Sequence, residues 1–285
     1  ESEKTVVVTI KGNTDGKTYD GTEHSVSGYQ VESIKIGEND TDLYTENDFE
    51  FSGKAEAKGT NAGTYPMGLK EAQFTNKNEN FTSVVFVVTD GKLEITPRQV
   101  NLTSESASKP YDGTALTRPD VAGGDGFVAG EVTDIRATGS VTNVSEGEVT
   151  NAITYATGEK FNADNYNITR EEGRLSITAS QEKVTVTITG HTNTEKYDGT
   201  PKKAEGYETA IASDSGLYKE ADFSFSGTAE VEKTDVAETA YPMGLAAGQF
   251  TNTNTNFANV EFVVTDGALT ITPRQVNLTS ESASK

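Results

Sequence analysis

The sequence has no cysteine and no tryptophan, and only two histidines and two methionines in 285 residues. Without cysteine there is no disulfide, no thiolate nucleophile and no thiolate metal site. Stability must come from packing and backbone pairing. The histidines stand at non-equivalent places: His24 follows a turn, and His191 lies on a loop that aligns with Asn13. Neither has a paired nucleophile, and general-base catalysis needs a positioned, perturbed group, so the sequence points away from an enzyme. Basic residues are scarce as well, 24 Lys and Arg against 44 Asp and Glu, a net charge of −20. Nucleic acid and anionic membrane surfaces reward clusters of Lys and Arg, so neither is an expected partner. The acidity reads as solubility and self-repulsion rather than a dedicated cation site. No apolar run approaches the roughly 20 residues that span a bilayer, which argues against membrane insertion, and no secretory signal opens the chain.

What is present is repetition. Residues 95–109 return unchanged as residues 271–285. A fixed internal period marks an array of modules. Tyr-Asp-Gly-Thr occurs three times, at Tyr19-Asp20-Gly21-Thr22, Tyr111-Asp112-Gly113-Thr114 and Tyr197-Asp198-Gly199-Thr200. Each is followed by Gly-x-Leu-x-Ile-Thr, beginning at Gly91, Gly173 and Gly267. The first and third units are close copies, sharing Phe-x-Phe-Ser-Gly (from Phe49 and Phe223) and Tyr-Pro-Met-Gly-Leu (from Tyr65 and Tyr241). The order is therefore an A-type repeat over 1–97, a B-type repeat over 98–178, a second A-type repeat over 179–273, and the first strand of another B-type repeat over 274–285. The last copy stops where the first runs on into Pro110-Tyr111, so an excised piece of a longer chain is expected. Hydrophobic residues make up only 33% of the chain, but 12 Phe and 11 Tyr supply large apolar anchors that a disordered acidic tract lacks.

Alternation supplies the secondary structure. Val6, Val8 and Ile10, like Val184, Val186 and Ile188, alternate with smaller or polar residues, the period of a half-buried strand. Val84, Phe86 and Val88 correspond to Val260, Phe262 and Val264, whereas Val85 is replaced by Glu261, so the Val84 phase should face the core. Asp90-Gly91, Asp266-Gly267 and Glu172-Gly173 read as hairpin turns that reverse the chain, with glycine accepting positive φ. No stretch shows a sustained apolar stripe at helical spacing. The expected fold is all-β, an elongated tandem array of small immunoglobulin-like β-sandwich modules, with β-grasp modules as the alternative. The joints Thr96-Pro97-Arg98 and Thr272-Pro273-Arg274 lack a flexible spacer, and proline favours extended geometry there.

Three patterns resemble chemical sites. An exposed Tyr beside Asp would suit a sugar, but Tyr19, Asp20 and Gly21, Tyr111, Asp112 and Gly113, and Tyr197, Asp198 and Gly199 read first as structural turns, with Asp bonding the backbone and Gly left-handed. Asn76-x-Asn78-x-Asn80 and Asn252-x-Asn254-x-Asn256 space oxygens like a calcium loop, but the carboxylates, the glycine and the closing glutamate are out of register. A Lys-to-Asn isopeptide crosslink would need a lysine at one inward strand position. Aligning Ile10 with Ile188 sets Thr5 against Lys183 and Lys4 against Glu182, so none recurs. No catalytic residue, cofactor or metal ligand is expected. The Asn-x-Thr sequons at Asn80 and Asn167 gain no weight in strands.

Lys-x-Tyr-Asp-Gly-Thr, Gly-Thr-Tyr-Pro-Met-Gly-Leu from Gly63, and Asn-Tyr-Asn-Ile followed by Gly-Arg-Leu-Ser-Ile-Thr (from Asn165 and Gly173) resemble the tandem Tyr-Asp-Gly (YDG/MBG-like) repeats of Gram-positive bacterial cell-surface adhesins. The resemblance implies a secreted, cell-wall-anchored protein whose repeats form a stalk, projecting a binding domain while host glycan or protein is met elsewhere in the full chain. A monomer is expected. The alternative is that the repeats are themselves weak adhesive modules multiplied into avidity.

Overall fold

The computed structural model describes residues 4–281. Val6, Val8 and Ile10 are fully buried on the Val6–Gly12 strand, and the Thr and Val residues between them point outward, as period-two patterning requires. Each such aliphatic side chain contributes about 1.5–3 kcal/mol on burial. This strand pairs antiparallel with Tyr29–Ile36 and parallel with Val84–Thr89. Phe86 is buried while Val85 and Val87 are 47% and 44% exposed, so the face read from the two A-type copies is the inward one. The same three-strand arrangement recurs at Ser180–Gly190, flanked by Tyr207–Ala212 and Phe257–Thr265. In the B-type repeat Arg98–Ser104 pairs parallel with Tyr166–Glu171. Every ladder closes inside one sequence repeat.

Among the described residues there is no α-helix, only seven 3₁₀ turns of three residues each. A β-grasp fold needs a helix laid across its sheet, so that alternative is excluded. The fold is all-β, small sheets packed as sandwiches over shared apolar cores.

The expected hairpins do not form. Val84–Thr89 and Lys92–Thr96 are not paired with each other; the first runs parallel to Val6–Gly12, and the second runs parallel to Thr14–Thr18. Asp90-Gly91 is a kink at which a strand passes from one sheet to the next alongside a partner that kinks at Gly12-Asn13. Gly91 does not have positive φ. Its role is closeness: a Cβ on Gly12 would stand 2.3 Å from Gly91 N, and one on Gly91 would stand 2.4 Å from Asn13 O. Gly190 and Gly267 repeat the contact, and a Cβ on Gly173 would meet Glu105 O at 2.2 Å. Asp-Gly here serves a second bond pattern, distinct from that of a reversing turn. Asp90 accepts hydrogen bonds from Gly68 N (3.0 Å) and Leu69 N (2.8 Å), Asp266 does the same for Gly244 and Leu245, and Glu172 accepts from Ile153 N. The carboxylate ties down a neighbouring loop instead of reversing its own chain.

The chain divides into two compact units, and the B-type repeat is shared between them. One unit holds Glu1–Ser104, Pro119–Ala137 and Ala152–Glu172; its core runs from Val8, Ile10 and Leu93 to Leu102, Phe127 and Tyr166. The other holds Glu105–Arg118, Thr138–Asn151 and Gly173–Lys285, with Val186, Ile188, Phe250 and Leu269 in one cluster and Leu116, Val141, Leu175 and Ile177 in a smaller one. Tyr111 packs against both clusters of that second unit.

Residues 273–281 form no strand, and Val276 and Leu278 are 73% and 92% exposed. The identical residues at Arg98–Ser104 are a strand with Val100 and Leu102 buried, because Tyr166–Glu171 lies beside them. The expected opening strand of a further repeat extends past residue 281, outside the described residues.

Candidate functional site

The three Tyr-Asp-Gly-Thr segments adopt one geometry. Gly21, Gly113 and Gly199 take φ of 80°, 78° and 82°, the left-handed region that only glycine enters freely. Asp20, Asp112 and Asp198 each accept from the backbone N–H two residues on, at 2.9 Å, and from the same threonine's hydroxyl. A side-chain nitrogen faces each carboxylate: His24 Nε2 at 3.0 Å, Lys109 Nζ at 2.8 Å and Lys202 Nζ at 2.6 Å. The Thr22 hydroxyl and N–H hold Asp20 down at about 2, the Lys109 ammonium leads in holding Asp112 at about 2, and Lys202 likewise holds Asp198 well below the usual carboxylate range. The preceding tyrosine donates its backbone N–H to the end of the closing strand, at Thr96 O, Thr178 O and Thr272 O. The turn thereby fixes where the tyrosine ring leaves the module.

At the first joint Tyr19 is 3% exposed, and what buries it belongs to the B-type repeat. Its ring meets Tyr166 edge-on at 5.5 Å. Its hydroxyl donates to Glu131 Oε1 at 2.5 Å, and the Tyr166 hydroxyl donates to Oε2 at 2.8 Å while accepting from Val128 N. Glu131, 4% exposed, is thus a buried carboxylate whose two oxygens are each met by a phenol. Burial first, then the adjacent carboxylate, pushes the Tyr19 and Tyr166 hydroxyls up to about 12. Beside them Asn165, fully buried, accepts from Ala62 N at 2.8 Å and donates to Asn61 Oδ1 at 3.0 Å. Val128 seals the turn, 2.8 Å from where a Cβ on Gly21 would stand.

The second joint repeats this plan with different side chains. Asn256, 8% exposed, accepts from Val144 N at 2.8 Å and donates to Asn143 Oδ1 at 3.0 Å. Tyr111 meets Phe257 at 5.5 Å, Phe257 meets Tyr218 at 5.2 Å, and Leu217 lies 3.1 Å from the Cβ position of Gly113. The carboxylate here, Glu146, stands behind the clamp, accepting from Asn143 N at 2.6 Å and Asn143 Nδ2 at 3.2 Å. An asparagine clamps a loop backbone, an aromatic ring covers the tyrosine, and an aliphatic side chain covers the glycine.

Residues 6–97 match the family model of the MBG domain. The first A-type unit is similar to MBG domains. No curated protein matches the chain. A crystal structure of the four N-terminal immunoglobulin domains of Dscam1 isoform 7.44 is similar at 10% identity over 95% of this chain and 73% of that one, with a TM-score of 0.19, too low to bear on the fold. Within the first A-type unit the asparagine series is a ladder of side-chain-to-backbone turns: Asn76 Oδ1 accepts from Asn78 N, and Asn78 Oδ1 from Asn80 N. Its copy at Asn252, Asn254 and Asn256 is the same. That second ladder ends on Asn256, the residue that reaches the B-type repeat. His191 Nδ1 bonds Glu205 O at 2.8 Å, a loop contact. Among the described residues no group of three or more His, Cys, Asp or Glu could hold a metal.

Asn165 and Asn256 were legible as a pattern, since Asn-aromatic pairs recur at Asn80-Phe81, Asn165-Tyr166 and Asn256-Phe257. Glu131 carries no such signal: it occurs once, and only the fold brings it between two tyrosines.

Proposed function

We propose that this chain is a run of spacer modules from a bacterial surface adhesin, secreted and wall-anchored, that holds a binding domain away from the cell and has no catalytic role of its own. The observation that carries the reading is that the recurring Tyr-Asp-Gly motif is spent on joining modules. Tyr19 and Tyr111, whose turns recur in both repeat types, pack against the next module, and two buried asparagines clamp the joints. A joint closed by buried hydrogen bonds resists bending in a way that a flexible linker does not. The net charge of −20 adds self-repulsion, which disfavours folding back and clumping.

Small-angle scattering on the whole chain, compared with the Asn165→Ala/Asn256→Ala double variant, tests the mechanical role. The expected result is an extended particle whose maximum dimension becomes broader and more variable in the variant. A compact particle, or one indifferent to the substitutions, overturns it. A glycan array or mucin pull-down tests the adhesive alternative, and saturable binding by this chain would sink a purely mechanical account.

A further inference from the structure

The joints have two halves, and the second A-type unit carries one of them open. In the first A-type unit three features make the receiving half: Tyr19, the glycine of its turn, and the loop residues Asn61-Ala62. The counterparts are Tyr197, Gly199 and Asp235-Val236, and the loop correspondence is fixed by geometry, because Tyr65 donates to Asn61 O as Tyr241 donates to Asp235 O. Each filled position is open in the second unit. Tyr197 is 39% exposed against 3% for Tyr19, and Val236 is 40% exposed. Nothing lies within 4 Å of the Cβ position of Gly199, where Gly21 has Val128 and Gly113 has Leu217. Tyr197 borders a groove with Thr194, Thr272 and Arg274, and Arg274 repeats Arg98, whose Nε donates to Gly126 O in the B-type repeat.

We infer that this end of the second A-type unit is a socket for a B-type module, which clamps it through Asp235-Val236. The occupant is named by the filled counterpart. The socket of the first A-type unit presents a phenol, and the B-type half-joint carries the carboxylate, Glu131, that receives it. Asp235 in place of Asn61 strengthens the fit, since the amide of the incoming asparagine would donate to a carboxylate. Residues 274–281 already repeat the opening of a B-type module, which places that module's arrival on this face. The inference concerns which modules join and does not depend on what the array is for.

The test fuses a second copy of residues 110–178 after Lys285, completing a B-type repeat, and follows amide hydrogen exchange. Val236 N–H should slow by about tenfold or more, the worth of one buried hydrogen bond. Replacing the added copy's counterpart of Asn165 by Ala should restore fast exchange at Val236 while the added module's own strands stay protected. Unchanged exchange at Val236 beside a folded added module overturns the inference. So does an added B-type module that stays unfolded beside a folded second A-type unit.

Discussion

Glu131 sets the stakes at the scale of single residues. Among the described residues its oxygens accept from the side chains of Tyr19 and Tyr166, at 2.5 and 2.8 Å, so Tyr19→Phe would leave a buried carboxylate short of one donor. We expect a loss of about 1.5–3 kcal/mol in urea unfolding. Glu131→Gln should cost less in the Tyr19→Phe background than alone, because the two act through one bond. The same tyrosines predict an alkaline limit. Tyr19, Tyr44, Tyr166 and Tyr218 are raised from 10 to about 12 in the folded chain, mainly by burial. The folded state therefore keeps protons that the unfolded state gives up. Stability should be complete below pH 10 and fall as pH rises from 10 toward 12, with tyrosinate absorbance and loss of structure changing together. At the acid end the sign reverses. Asp20 and Asp112, held at about 2, support the fold above pH 4, and that support disappears as pH drops toward 2.

At the scale of elements, kinked strand pairs replace hairpins, and this makes particular glycines indispensable. Gly12→Ala would place a methyl group 2.3 Å from Gly91 N, against backbone that cannot step aside. A cost of about 1–3 kcal/mol is expected from overpacking. Gly16→Ala, on the next strand with nothing within 4 Å, should be neutral or stabilising by about 0.5 kcal/mol. Equal thermal shifts in the two variants would refute the close-approach account. Strand positions and inward faces could be read from Val6, Val8 and Ile10 and from the Val85-to-Glu261 exchange, because alternation is local. Partner and direction could not. Asp-Gly serves a reversal and a kink equally well, and which one forms depends on whether a parallel partner, here 70-odd residues away in sequence, lies alongside.

For the molecule as a whole, the sequence repeat and the compact unit differ. Leu102 and Leu175 belong to the same B-type repeat, yet Leu102 packs in the core that contains Val8 and Ile10, and Leu175 lies in the compact unit that contains the second A-type repeat. Leu102→Ala, expected to cost about 2–5 kcal/mol, should speed amide exchange at Val8 and Ile10 and spare Val186 and Ile188. Leu175→Ala should do the reverse. A variant that loosened all four sites alike would mean the units unfold as one.

By itself the sequence determined the all-β class, the inward faces and the turn chemistry at Asp20, Asp112 and Asp198, because each depends on residues a few positions apart. Tertiary structure decided what the turns are for. Burial of Tyr19, the placing of Glu131 between two phenols, and the reach of Asn165 to Ala62 join residues about 100 positions apart in sequence. Contacts at that separation leave no local periodicity, and so they became visible only when the chain was folded.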